Sequence, residues 1–261
     1  MRYMSEMSCD EKLRQAVDLI ESAQHAIAFT GAGISLESGV PTFRGSGSSI
    51  WSKYDPDDIE VGHFEADPKK SWATIKACFY EFMKDQDIRP NKAHYVLAEL
   101  QKAGRLKTII TQNIDALHQK AGAEDVVEFH GTTATISCTK CGERYASDGV
   151  DLSAEVPRCP KCGGVLKPDF VFFGEGIPEK AMLRSADEVD KADLCIMVGT
   201  SAVVMPAGLI PVMVSRHGGK VIEVNPEKTQ LTERCTDVFV GMGAVDAFTE
   251  IEKMLKGDGV L

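Results

Sequence analysis

Two Cys-x-x-Cys pairs, a histidine placed just after an apolar run, and a Gly-x-Gly at the end of another are the residues of this chain best suited to chemistry. Cys138/Cys141 and Cys159/Cys162 are separated by 17 residues, and each pair is followed by a glycine, Gly142 or Gly163. That spacing matches a four-thiolate zinc site. Four thiolates fill tetrahedral zinc and leave no position for water or substrate, so one structural zinc is expected and a zinc hydrolase is not. The metal would fasten an insertion too short to build its own core.

The Gly-x-Gly lies in "AIAFTGAGISLESGVPTFRG", residues 26–45. A strand ending in Gly31-Ala32-Gly33 would aim backbone N–H groups and a helix N-terminus at a pyrophosphate. A dehydrogenase-type turn would carry a third glycine at position 36, where Leu36 stands. The stretch about 20 residues on, "WSKYDPDD", offers no isolated acid at a strand end. Arg44 is placed to reach phosphate and Phe43 to lie against a ring. In "TQNID", Gln112, Asn113, Ile114 and Asp115 follow an apolar run, and their amides and carboxylate suit a carboxamide and ribose hydroxyls. "EFHG" puts His130 after another such run, a position that favours acid/base work. His25, His63, His94, His118 and His217 have no comparable context. "VGTS" and "VNPE" close two further runs, with Gly199, Thr200, Ser201 and Asn225 suited to ribose or phosphate.

These fragments need strands to carry them. Apolar, β-branched runs fall at 25–30, 107–111, 126–129, 193–198, 220–224 and 237–240. Helical spacing falls between several of them, at 10–23, 91–103 (closed by Gly104), 178–189 and 206–217. The alternation predicts an α/β fold, a Rossmann-like parallel sheet with helices on both faces. Its expected extent is 1–45, 91–137 and 166–261. A helical insertion at 46–90 and a zinc-ribbon module at 138–165 are expected to form a smaller domain. The last residues, 257–261, are expected to fray.

The chain has 261 residues, 43% hydrophobic and 26% charged, enough for one large core plus a small module. Its net charge of −10 argues against a basic face gripping nucleic acid. No stretch reaches the ~18–20 apolar residues of a membrane span, and the first eleven residues do not read as a signal peptide. A cytoplasmic protein is expected, in which paired cysteines bind metal and Cys9, Cys78, Cys195 and Cys235 are inert thiols.

Taken together, "GAGIS", "GVPTFRG", "TQNID", "HG", the four cysteines, "FFGE", "GTS" and "VNPE" resemble, in order, the motifs of the sirtuin family of NAD-dependent protein lysine deacylases. The resemblance runs from residue 25 to about 245. It implies that NAD is a consumed co-substrate: nicotinamide leaves, the acyl oxygen of a modified lysine captures the sugar cation, and O-acyl-ADP-ribose and free lysine result. It implies that His130 is the general base and that Asn113 and Asp115 line the nicotinamide pocket beside Ile34 and Ser35. Gln112 becomes a ribose contact. Gly31, Ala32, Gly33, Thr42, Phe43, Arg44 and Ile114 become cofactor contacts. Gly199, Thr200, Ser201, Asn225, Pro226 and Glu227 fall on the adenosine side, with Ala244 and Val245 as backbone contacts to adenine. Val171, Phe172, Phe173, Gly174 and Glu175 on one edge, and Val203 and Val204 on the other, would admit an acetylated-lysine peptide as an added strand.

Two departures are visible. Thr42 stands where many members have aspartate. The Tyr-x-x-Arg of members that prefer acidic acyl groups has only Tyr80-x-x-Met83 as its counterpart, so uncharged acyl groups are expected. A hydride-transferring dehydrogenase, a non-catalytic NAD sensor and mono-ADP-ribosyl transfer are the competing readings.

Overall fold

The computed structural model describes residues 7–41, 54–82 and 86–261. Six parallel strands form the larger sheet: β1 (Ala26–Thr30), β2 (Thr108–Thr111), β3 (Val126–Glu128), β7 (Leu194–Val198), β8 (Lys220–Val224) and β9 (Val238–Val240). Their order is β3-β2-β1-β7-β8-β9. The antiparallel sheet has the order β5-β4-β6, from β4 (Gly131–Cys138), β5 (Arg144–Ala146) and β6 (Leu166–Phe170). The helices are α1 (Cys9–Ser22), α2 (Val61–Ala66), α3 (Pro68–Ile75), α4 (Lys92–Lys102), α5 (Leu117–Lys120), α6 (Glu179–Lys191), α7 (Leu209–Arg216) and α8 (Ala244–Gly257).

Strand β1 is buried along its whole length, as a strand covered on both faces must be. Ala26 and Ala28 join one core with Leu13 and Val17 of α1, Leu97 of α4 and Phe248 of α8. Ile27 and Phe29 join a second core with Val189 of α6 and Val212 and Val214 of α7. Local signals set the helix ends. Ser8 and Glu11 form a reciprocal capping box before α1. Asn91 caps α4, and Gly104, at φ +74°, follows its end. The helix expected from Pro206 starts at Leu209, because the chain first turns tightly on itself. A Cβ on Gly208 would sit 2.0 Å from the Ala202 carbonyl oxygen.

A third core is aromatic. The indole N–H of Trp72 in α3 donates to the Leu166 carbonyl of β6 at 2.8 Å, tying the helical insertion to the antiparallel sheet. Helix α3 continues into a π-helical stretch, Lys76–Glu81, whose Phe79 lies edge-on to Phe170 at 5.0 Å. The antiparallel sheet takes in 131–138 and 166–170, on both flanks of the expected 138–165 module. The cysteine cluster is held by a backbone ladder to which these flanks contribute β4 and β6 and the module itself contributes β5. No helix among the described residues is long and apolar enough to cross a membrane.

Candidate active site

The chain leaves β1 toward β2 on one side, while β7 leads to β8 on the other. Open parallel sheets bind ligands at such a switch, outside the carboxyl ends of the strands. The loops after β1 and β7 touch there. Gly31 and Gly33 donate backbone N–H groups to Val198 and Gly199 carbonyls at 3.1 and 2.8 Å. A Cβ on Gly33 would lie 2.7 Å from the Gly199 oxygen, and one on Gly199, itself at φ +60°, would lie 2.2 Å from Ile34 N. The glycines let two backbones meet. Past Gly31 the chain winds into a 3₁₀ helix, Ala32–Ser38, in which Leu36 is exposed. The Leu36 side chain faces solvent there, so a third glycine is not needed for close packing.

Ser35 organises the pocket floor. Its hydroxyl donates to Asp115 Oδ2 at 2.8 Å and accepts from Asn113 Nδ2 at 3.1 Å. Asn113 Nδ2 also donates to the Gly31 carbonyl at 3.2 Å. Both of its amide hydrogens are therefore engaged, and its oxygen keeps acceptor capacity. Asp115 Oδ1 accepts the Leu117 N–H at 2.9 Å across Ala116, which is left-handed at φ +57°. Asp115 is thus both a turn anchor and a pocket residue. Burial pushes its pKa above the ordinary carboxylate range, against those hydrogen bonds. Asn113, Ile114, Asp115 and Ala32 line one end of a cleft of about 480 Å³, partly open to solvent. Val40, Pro41, Cys78, Phe79, Phe82 and Thr133 line the remainder.

His130 occupies the turn between β3 and β4. Its Nδ1 lies 3.1 Å from the Gln112 carbonyl oxygen. A carbonyl only accepts, so Nδ1 carries the hydrogen and Nε2 presents a lone pair. Burial lowers the pKa of His130, with the Gln112 bond opposing, so the ring is neutral at pH 7. Gln112 donates from Nε2 to Thr200 Oγ1 at 2.8 Å. The structure thus brings Gln112, Asn113, Asp115, Ser35 and the Gly31–Gly33 turn together at the sheet switch, with His130 joined through Gln112. Asn225 Nδ2 reaches the Thr200 carbonyl at 3.1 Å. Ser201, Pro226 and Glu227 are exposed. Ala244 is buried, and the Val245 N–H donates to Glu37 Oε1 at 3.1 Å. Thr42, Phe43, Arg44 and Met83 lie outside the described residues.

The two expected peptide edges differ. Val203 and Val204 are 40% and 38% exposed. On the other edge Phe173 is 46% exposed, but Phe172 is buried, its ring stacked on Phe170 at 4.8 Å. The Phe172 side chain is therefore a core group, which leaves only its backbone near the surface. Even its N–H donates to Glu175 Oε2 at 2.7 Å. Phe173 pairs through its backbone with Ile59 and Val61 of the helical insertion. Val171 N donates to the His130 carbonyl at 2.8 Å, and Gly174 is exposed at φ +83°.

Two histidines assigned no role from sequence lie beneath the pocket. His94 Nε2 is 3.4 Å from Ser35 Oγ, and its ring centroid is 4.9 Å from that of His118. His118 Nε2 is 2.9 Å from Thr30 Oγ1, which in turn bonds Thr111. Burial lowers His94 to about 4 and His118 well below the ordinary value, so both are neutral. His94 had a readable signal: it stands three residues after Asn91 and bonds back to that cap, a variant of the capping box.

The four cysteine sulfurs lie within 4.8 Å of one another. Gly142 and Gly163 are left-handed at φ +70° and +72°. The N–H groups of Lys140 and Cys141 point at Cys138 Sγ from 3.4 and 3.5 Å, and Tyr145 Oη lies 3.2 Å from Cys159 Sγ. Thiolates supplied with nearby donors in a compact set of four fit tetrahedral zinc.

The Sir2 family pattern matches residues 31–206. An NAD-dependent protein deacylase of Pyrococcus furiosus is 44% identical over 226 residues, covering 84% of this chain and 89% of its own. An NAD-dependent protein deacetylase of Caldivirga maquilingensis is 40% identical over 260 residues, covering 97% and 98%. Among solved structures, a Sir2 homologue–ADP ribose complex superposes with a TM-score of 0.88 at 36% identity, covering 95% of this chain and 98% of its own. A Sir2–p53 peptide–NAD+ structure does so with a TM-score of 0.84 at 31% identity, covering 95% and 99%.

Proposed function

The chain belongs to the Sir2 family, and from that premise we infer that it removes acetyl and other uncharged acyl groups from protein lysines at the expense of NAD. The reaction takes acyl-lysine, NAD and water to free lysine, nicotinamide and O-acyl-ADP-ribose. The observation that carries the reading is the convergence at the sheet switch of a polar corner and a neutral histidine whose Nε2 has no hydrogen-bond partner among the described residues. Asn113 offers its amide oxygen to the carboxamide of nicotinamide. Asp115, held by Ser35, keeps that corner polar. The Gly31–Gly33 turn, its two glycine N–H groups bonded to the Val198 and Gly199 carbonyls, sets Ala32 at the cleft where the dinucleotide would lie. His130 Nε2 takes a proton from a ribose hydroxyl, and that hydroxyl then attacks the carbon of the captured acyl group. Thr42, Phe43 and Arg44 complete the dinucleotide contacts in this reading.

The zinc, bound by Cys138, Cys141, Cys159 and Cys162, supplies structure alone. The edges at Val171–Glu175 and Val203–Val204 receive the substrate peptide mainly through backbone hydrogen bonds, so tolerance of peptide sequence is expected. The division into a nucleotide-binding part and a small part made of two insertions, and a cytoplasmic setting, belong to the same proposal.

Acyl choice is a matter of charge. Among the described residues lining the cleft none is cationic, and one is the acid Asp115. Tyr80 donates its hydroxyl to the Thr133 carbonyl at 3.1 Å. A succinyl carboxylate would find no cationic partner among the described lining residues. Incubating the protein with acetyl- and succinyl-lysine peptides, with and without NAD, and weighing the products tests both points. NAD-dependent acetyl loss with nicotinamide release is expected. Intact NAD overturns the activity, and faster succinyl removal overturns the acyl preference.

A further inference from the structure

We propose that Glu223 is a positioning residue for dinucleotide binding, holding the loop from Asn225 to Thr236 against the adenosine side of the site. The proposal rests on the NAD-consuming reading of the site. Glu223 lies in β8 of the parallel sheet with no exposed surface. All four of its hydrogen-bond partners among the described residues are neutral. Oε1 accepts from Thr229 Oγ1 at 2.7 Å and from Asn225 Nδ2 at 3.5 Å. Oε2 accepts from Thr232 Oγ1 at 2.8 Å and Thr236 Oγ1 at 2.7 Å.

A buried carboxylate without a cation is costly, and an apolar side chain would stabilise the strand at least as well. What an apolar residue cannot do is specify a loop. The three threonines belong to one segment, and two of them fasten its turns in the same stroke: Thr229 N donates to Thr232 Oγ1, and Leu231 N to Thr229 Oγ1. The segment reaches back to the neighbouring loop, since Gln230 Nε2 lies 3.4 Å from the Ala202 carbonyl. Asn225 Nδ2 joins Glu223 to the Thr200 carbonyl, and Thr200 Oγ1 accepts from Gln112. One carboxylate thus sits at the root of two segments expected to meet adenosine, and neither contains His130, Asn113 or Asp115. The work assigned to Glu223 is therefore confined to holding the dinucleotide.

Glu223→Gln keeps size and one acceptor but turns an NH₂ toward two of the hydroxyl donors. The KM for NAD should rise about tenfold, with kcat and the KM for acetyl peptide within about twofold of the parent. Calorimetric affinity for ADP-ribose should fall in parallel. Thr232→Val, which keeps shape and removes one of the four bonds, should raise the NAD KM about threefold and decides the matter if Glu223→Gln does not fold. An unchanged NAD KM and ADP-ribose affinity in a folded variant overturns the proposal. So does a joint shift of kcat and both KM values, the mark of general loosening. If the parent protein consumes no NAD the functional reading fails separately, and the ADP-ribose titration still judges Glu223.

Discussion

The parallel sheet buries aliphatic side chains on both faces, whereas the antiparallel sheet leans on an aromatic core and carries four thiols at one end. The larger half gathers its two cores from strands and helices spread from Leu13 to Leu255. The smaller half has one core, and Cys138 and Cys159 are themselves part of it. The difference teaches where each half is vulnerable. In the first, stability is distributed over many contacts, and removing one site residue leaves the rest standing. In the second, the metal ligands and the core overlap, so losing one ligand loses packing as well.

The largest effect should come from breaking the smaller half. Cys138→Ser, or a strong chelator, should abolish deacylation and strip amide protection from β4, β5 and β6, while β1, β2, β7 and β8 stay protected. Structural zinc contributes on the order of 10 kcal/mol in small domains. Hydrogen exchange read strand by strand is the check, and uniform loss of protection would erase the contrast between the halves. Next comes His130→Ala. It should fold, keep its melting temperature within a few degrees, and lose roughly two to four orders of magnitude in kcat. Nicotinamide release and peptide deacylation, timed separately, would locate the blocked step.

The third and smallest concerns acid. His94 and His118 belong to the larger half and are neutral when folded, with pKa values below the ordinary 6.5. The unfolded chain therefore binds more protons as pH falls through 6.5, and folding weakens. For His94 the loss continues until about pH 4. Between pH 7.5 and 5.5 His94 should remove about 1 kcal/mol, and His118 adds to the loss in the same direction. Urea midpoints at the two values, with zinc in excess, measure it. Equal loss in His94→Asn would show that His94 is not the source.

The sheet was legible because β7 is an unbroken apolar run, β1 departs from one only at Thr30 and β8 only at Lys220 and Glu223, and the metal site because its spacing is stereotyped. The pocket's polar corner was half legible. Asn113 and Asp115 stood out at a strand end, but their dependence on Ser35 comes from contacts spanning 78 and 80 residues of chain, and the nearness of His94 from one spanning 59. Glu223 looked like an ordinary strand residue, because its partners arrive from a loop whose path no local pattern dictates. The missing glycine at 36 had a true reading, since an exposed leucine fits a 3₁₀ turn. The reach of the antiparallel sheet beyond 138–165 was hidden because Gly131–Ser137 carries no cysteine.

His130 is followed directly by Gly131, the first residue of β4. Gly131 is left-handed at φ +72°, and a Cβ there would collide with the Asp169 oxygen at 2.0 Å. His130 therefore sits on the splice between two architectures and takes its aim from both. Anyone grafting a foreign metal-bearing module onto this scaffold inherits an alignment problem at that one joint: a chimera can fold in each part and still be inert.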